Sequence, residues 1–193
     1  MTSPTTTTPI PTLDTDQLRL RPFAVDDAPV VRQLAGVWEV ADPTLYIPHP
    51  YPEGAAEEWI GTHAGEATAG TAVTWAITRR DDAALLGAMT LGVSDYHRRG
   101  DLGYWVGVPF WNRGYTTEAA RAVLAFAFAS LALHRVQAGV FARNPASGRV
   151  LEKVGMRHEG VLRGYYRKGE VFEDALMYAV VQPDVAPVTE GQA

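Results

Sequence analysis

The residues of this chain best suited to chemistry lie in one stretch, Asp101 to Ala119, reading DLGYWVGVPFWNRGYTTEA. It predicts a strand, a short loop containing Asn112-Arg113-Gly114, and a helix whose first turn holds Thr116 and Thr117. A helix start presents unpaired backbone N–H groups and the positive end of the helix dipole. Behind a glycine that turns the chain tightly, such a start cradles phosphate, and the Arg113 guanidinium meets a pyrophosphate from the side. The same residues also serve a simpler arrangement, in which Gly114 shapes a turn and the threonines cap a helix. Two familiar nucleotide loops are absent: there is no G-x-x-x-x-G-K-[ST], and Gly103 and Gly107 are not spaced as G-x-G-x-x-G.

A second constellation is Asn144-Pro145-Ala146-Ser147, running to Val154-Gly155-Met156. Asn144 suits a helix N-cap, Pro145 the first helical position, and Gly155 the position past the helix end. The carboxylates Asp101 and Glu118 are candidates for a base, although Glu118 in a first helical turn is favoured there by the dipole alone. Trp38, Tyr46, Tyr51 and Trp59 surround a proline-rich path between residues 41 and 53, able to hold a cation or simply to pack a loop. The five histidines lack metal-ligand spacing, so no metal is expected.

The elements that must position these groups alternate in type. Strands are expected at residues 17–22, 71–78, 85–93, 102–108, 135–141, 155–161 and 172–181. Helices are expected after Asp26 as N-cap, at 55–67, from about Thr117, and at 145–154. On the Thr117 helix, Ala119, Ala122, Val123, Phe126, Ala127, Ser130 and Leu131 form one apolar stripe. This order predicts a mixed α/β fold with a six- to seven-stranded sheet and helices on both faces. Alternation along 101–108 puts Leu102, Tyr104, Val106 and Val108 on one face, and Asp101, Gly103, Trp105 and Gly107 on the other, where the glycines allow a ligand's close approach.

At 193 residues the chain fits one domain, expected over 15–181, with Thr/Pro-rich residues 1–14 as a disordered tail and 182–193 as a second tail. Hydrophobic residues make up 47%, enough for a buried core. A net charge of -5 argues against a nucleic-acid partner. The absence of cysteine excludes disulfides, thiolate zinc sites and a cysteine nucleophile. Residues 1–8 have neither a basic nor an apolar signal region, and the apolar run 122–133 is too short to span a bilayer, so a soluble cytoplasmic protein is expected.

Taken together, the blocks resemble the GNAT superfamily of acetyl-CoA-dependent N-acetyltransferases, in its ribosomal-protein N-terminal acetyltransferase branch. The family's pyrophosphate loop, Q/R-x-x-G-x-G/A, falls on Trp111 to Thr116, with Trp111 and Thr116 departing from the general pattern. The family's N-x-x-S block, short helix and Gly-Phe fall on Asn144 to Met156, and Gly155 to Gly160 with Asp174 give a third match.

The resemblance implies a sheet splayed between the strands at 102–108 and 135–141, with acetyl-CoA in the opening. Its pantetheine would run beside Trp105, Val106 and Gly107. Arg113, Gly114, Tyr115, Thr116 and Thr117 would hold the pyrophosphate, and Asn144 would complete the site. Many superfamily members place a Tyr acid seven residues after the motif Asn, where this chain has Leu151; the branch instead implies Ser147 as acid or thiolate-stabilising donor. Asp101 matches an acidic position of the branch, and Tyr104 would gate or orient the acceptor. The 165–170 hairpin would rim the acceptor site, or simply be a polar turn. The acceptor implied is the α-amine of a protein such as a ribosomal protein. A small-molecule amine (antibiotic or polyamine) and a non-catalytic acyl-CoA-binding role are the alternatives, and a homodimer is allowed.

Overall fold

The computed structural model describes residues 10–182. Eight strands form a single sheet in the order β1-β2-β3-β4-β5-β6-β8-β7. The strands are β1 (Leu13–Asp14), β2 (Leu18–Arg21), β3 (Ala72–Arg79), β4 (Leu85–Ser94), β5 (Arg99–Val106), β6 (Arg135–Phe141), β7 (Arg157–Lys168) and β8 (Val171–Val181). The helices are α1 (Ala28–Ala35), α2 (Trp38–Ala41), α3 (Ala55–Ala69), α4 (Tyr115–Ala129) and α5 (Pro145–Lys153). All strand pairs are antiparallel except β5 with β6.

One face of the sheet receives α1 and α3, which pack over β3, β4 and β5. Ala28, Val31, Ala35, Ala56, Ile60 and Ala76 form that smaller core. The other face receives α4 and α5, and holds the larger core around Trp75, Leu86, Leu91, Val123, Val136 and Leu151. Coverage on both faces explains why β3 and β4 are buried nearly throughout instead of alternating.

The sheet exceeds the expected six to seven strands because β1 lies in the segment read as a tail. Leu13 and Asp14 pair with Leu20 and Arg19. The Trp75 indole donates to the Pro11 carbonyl at 2.7 Å, and Ile10 and Leu13 pack on the larger core. Two isolated apolar residues among Thr and Pro give no periodic signal, so only the tertiary partner reveals them. Residues 1–9 and 183–193 lie outside the described residues; of the expected second tail, Gln182 donates its N–H to the His134 carbonyl.

Asp26 is not the N-cap. Val25–Asp27 form a 3₁₀ turn, and it is Asp27 that accepts the Ala24 N–H at 2.8 Å while pairing with Arg21. Helix α4 begins two residues before the expected Thr117, and its buried face takes in Ala120 and Leu124 while Ser130 and Leu131 are exposed. β7 runs seven residues past its expected end, as an exposed edge strand whose pattern carries little apolar alternation.

Candidate active site

The opening is set by strand register. β5 and β6 pair in parallel only at Arg99↔Arg135, Gly100↔Val136 and Asp101↔Gln137, then part. β5 keeps its other neighbour, β4, through Val106↔Gly87. The Gly107 N–H donates to the Leu86 carbonyl at 2.9 Å. Alternation therefore turns the backbone groups of Leu102, Tyr104 and Val106 toward the opening. One of them has a partner from beyond the strand: the Trp111 indole N–H donates to the Val106 carbonyl at 2.6 Å, fastening the following loop to the strand end.

Two residues of that loop adopt left-handed backbone, Asn112 at φ 60° and Gly114 at φ 83°. Gly114 is the N-cap of α4 and has no side chain to offer, so no side-chain cap bond forms. The first intrahelical bond runs from Glu118 N–H to the Gly114 carbonyl, which leaves the N–H groups of Tyr115, Thr116 and Thr117 without intrahelical partners. Among the described residues nothing lies within 4 Å of where a Gly114 Cβ would stand, so the cradle is open. Arg113 is exposed beside it, whereas the Tyr115 and Thr117 side chains are buried and leave only backbone for a ligand. Glu118 is occupied structurally: its carboxylate accepts the Thr15 hydroxyl (2.6 Å) and the Gln17 backbone and side-chain N–H groups (both 2.8 Å).

Across the opening stands α5. The Asn144 side-chain oxygen accepts the Ser147 N–H at 3.2 Å, and Pro145 occupies the first turn. This cap brings the Ser147 hydroxyl within 2.7 Å of the Tyr104 phenol oxygen, which also donates to the Ser147 carbonyl at 3.1 Å. Burial pushes the Tyr104 phenol up to about 12, with the Ser147 hydrogen bond acting in the opposite sense. Tyr104 is therefore a neutral hydroxyl at physiological pH, able to support the Ser147 hydroxyl. It belongs to the α4/α5 side of the sheet, not to the acceptor loop.

Asp101 emerges on the other face with Trp105, whose ring packs against the smaller core. Its carboxylate accepts the Gln137 amide N–H at 2.7 Å and pairs with Arg99 at 3.6 Å. Of the two glycines on this face, only Gly103 leaves open space; a Cβ on Gly107 would lie 2.9 Å from Leu34 of α1, so that glycine serves packing. On β6, Gly139 makes room for a neighbour: its Cβ would lie 2.2 Å from the Tyr166 hydroxyl and 3.1 Å from the Met177 sulfur. The loop after α2 overhangs from the same side. Lys168 donates to the carbonyls of Ala41 (2.8 Å), Thr44 and Ile47, and Arg143 bridges Asp42 and Glu173.

The residues 17–157 match the family model described as "Acetyltransferase (GNAT) domain". The chain belongs to the GNAT acetyltransferase family. It is 33% identical over 177 residues to the uncharacterized N-acetyltransferase YoaA of Bacillus subtilis, covering 90% of this chain and 98% of that protein. Its relatives include the Escherichia coli ribosomal protein uS5-alanine N-acetyltransferase, 28% identical over 45% of this chain and 44% of that one. Among solved structures, Mycobacterium smegmatis RimJ in complex with CoA-disulfide superposes with a TM-score of 0.80 at 24% identity, covering 95% of this chain and 92% of RimJ.

This GNAT chain is thus an acyltransferase of the N-acetyltransferase kind. Its fold brings Val106, Gly114, Asn144 and Ser147 around one opening, and puts Asp101 on the opposite side of the sheet. The aromatic loop expected to hold the acceptor divides. Trp59 packs against the smaller core, edge-on to Phe23 and His63. Tyr51 packs against the smaller core, and Trp38 sits over His49. Tyr46, 89% exposed, remains free to meet a substrate. Sequence reasoning missed Gln137 and gave Tyr166 only within a hairpin read as rimming the acceptor site or as a polar turn; a glycine at 139 within a strand was the available signal for a close approach.

Proposed function

We propose that the chain transfers the acetyl group of acetyl-CoA to a primary amine, the α-amine of a protein such as a ribosomal protein being the acceptor. The observation that carries this reading is the meeting of three features at one opening: the unpaired edge of β5, the bare N-terminus of α4, and the Ser147–Tyr104 hydroxyl pair. The N–H groups of Tyr115, Thr116 and Thr117, with Arg113, fit a pyrophosphate. The edge passing Trp105, Val106 and Gly107 turns the backbone groups of Tyr104 and the Val106 N–H toward the amides of a pantetheine arm, as an added strand would use them. Asn144 holds α5, and so Ser147, at that edge.

In the reaction the amine nitrogen bonds to the thioester carbonyl carbon, the C–S bond breaks, the nitrogen releases one proton and the CoA sulfur gains one. Ser147 donates a hydrogen bond to the departing sulfur, Tyr104, neutral throughout, orients that hydroxyl through its own, and the proton that the sulfur gains comes from solvent. Asp101 receives the amine from the other face and takes up or relays its proton. An α-amine has a pKa of about 7.7–8.0 against about 10.4 for lysine, so an N-terminal acceptor demands only a weak base. A half-exposed carboxylate meets that demand.

The test is CoA release from acetyl-CoA with N-terminal peptides of ribosomal proteins, lysine peptides, aminoglycosides and polyamines, beside Ser147→Ala. Release with the N-terminal peptides, reduced about 10- to 100-fold in the variant, is expected. Release only with aminoglycosides or polyamines would replace the acceptor class, and undiminished release in the variant would remove Ser147 from the chemistry. Tight acetyl-CoA binding without release for any amine would overturn the reading.

A further inference from the structure

We infer that Gln137 is a positioning residue for the transfer: it holds the Asp101 carboxylate in the orientation from which that carboxylate meets the acceptor amine. The inference rests on the acceptor-side role proposed above for Asp101.

The two residues form the last paired position of β5 and β6 before the strands part, so their side chains stand together at the apex of the opening. The Gln137 amide nitrogen donates to Asp101 Oδ1 at 2.7 Å. Its amide oxygen accepts the Arg135 Nε–H at 3.1 Å, and the Arg135 guanidinium is in turn held by both oxygens of Glu159, at 2.8 and 2.5 Å. The line Glu159–Arg135–Gln137–Asp101 fixes which way the amide faces. Flipping it would set the amide oxygen against a carboxylate and the NH₂ against a guanidinium, so both contacts would become repulsive.

On its other side Asp101 has Arg99, with Nε 3.6 Å from Oδ2, an ion pair beyond hydrogen-bonding distance. Beside Asp101 on β5, Gly103 leaves open space, through which an amine can reach the carboxylate. Gln137 thus decides between two uses of Asp101. With the amide in place, Oδ1 is tethered and the carboxylate stays at the apex. Without it, Arg99 is the remaining donor, and the carboxylate turns to it and away from the acceptor.

The experiment measures kcat and KM for the amine giving the highest turnover in the panel above, with acetyl-CoA affinity measured separately. The variants are Gln137→Leu, Asp101→Asn, the double variant, and Arg135→Met, which leaves Gln137 present but frees its amide. Gln137→Leu is expected to lower kcat/KM for the amine about tenfold, the effect of one hydrogen bond to a charged group, while acetyl-CoA affinity stays within about twofold. The double variant is expected to lose no more than Asp101→Asn alone, because Gln137 acts through Asp101. Multiplying losses, or a Gln137→Leu enzyme indistinguishable from the unmodified one, would overturn the inference while leaving the acetyl transfer intact. A silent Asp101→Asn would remove the role on which the inference stands, and the inference with it. Should Gln137→Leu fail to fold, Arg135→Met with Asp101→Asn makes the same comparison.

Discussion

The hydroxyl of Ser147 lies 2.7 Å from the phenol oxygen of Tyr104, joining the first turn of α5 to the edge of β5 across a separation of 43 residues. The contact closes one side of the opening and aligns a donor whose own direction would otherwise be free. A hydroxyl rotor with one fixed partner is a better-oriented donor than a rotor in water.

Tyr104→Phe is therefore expected to lower kcat about tenfold while leaving acetyl-CoA affinity nearly unchanged, since the ring remains and only the oxygen is lost. Steady-state kinetics with isothermal titration of CoA separates the two. The raised phenol also has a stability consequence. Its folded value of about 12 exceeds the ordinary value of 10, so its contribution is full below pH 10 and is lost as pH rises from 10 to 12. Thermal unfolding across that window should fall less steeply for Tyr104→Phe than for the unmodified chain.

Gly114→Ala tests the cradle. No atom would meet the new Cβ, but φ of 83° is left-handed, and an alanine there costs about 1–2 kcal/mol. The loop relieves this by rotating, which turns the first N–H groups of α4. CoA affinity should weaken by about tenfold, with the thermal midpoint lowered by no more than several degrees; unchanged affinity would separate the loop from phosphate binding.

At Gly139 the expectation is the reverse, a clash of volume. A Cβ would stand 2.2 Å from the Tyr166 hydroxyl, so Gly139→Ala displaces that ring from its place against Phe141 and Tyr165. Acceptor KM should rise several-fold with acetyl-CoA affinity intact. Adding Tyr166→Phe removes the clashing oxygen, so the double variant should recover thermal stability relative to Gly139→Ala without recovering acceptor KM.

His63 gives a pH prediction away from the site. It is 3% exposed, edge-on to Trp59 at 4.5 Å, and neither ring nitrogen has a partner among the described residues. Burial lowers its pKa to about 4. The neutral ring is the folded form, so its contribution is full above pH 6.5 and is lost as pH falls from 6.5 to 4, by about 3 kcal/mol in all. His63→Leu should flatten the fall in thermal midpoint over that window; an equally steep fall would assign the acid sensitivity to other groups.

Much of the CoA side of this molecule is written locally. Gly114 needs only its own φ and the helix beyond it, and Asn144 reaches Ser147, three residues on. Such features depend on neighbours along the chain, so residue type and spacing reveal them. The strands β3 and β4 were legible because doubly covered strands carry long apolar runs, and β5 and β6 because their residues alternate between the faces. Residues 10–14 and the outer part of β7 were not, because their partners are remote in sequence or their faces are exposed, and Asp27 was not because the adjacent Asp26 offers the same carboxylate.

The sequence by itself determined the family, the order of elements apart from β1 and α2, and the loop–helix junction at Arg113-Gly114. Alternation already set Tyr104 and Asp101 on opposite faces, and tertiary structure alone decided which partners each face meets. Ser147 and Tyr104 came together on the α4/α5 side, and Asp101 with Gln137, 36 residues apart, on the other. The reason is register: β5 and β6 pair for three positions and then part, and where they part depends on what packs on each face, which no local pattern in either strand records.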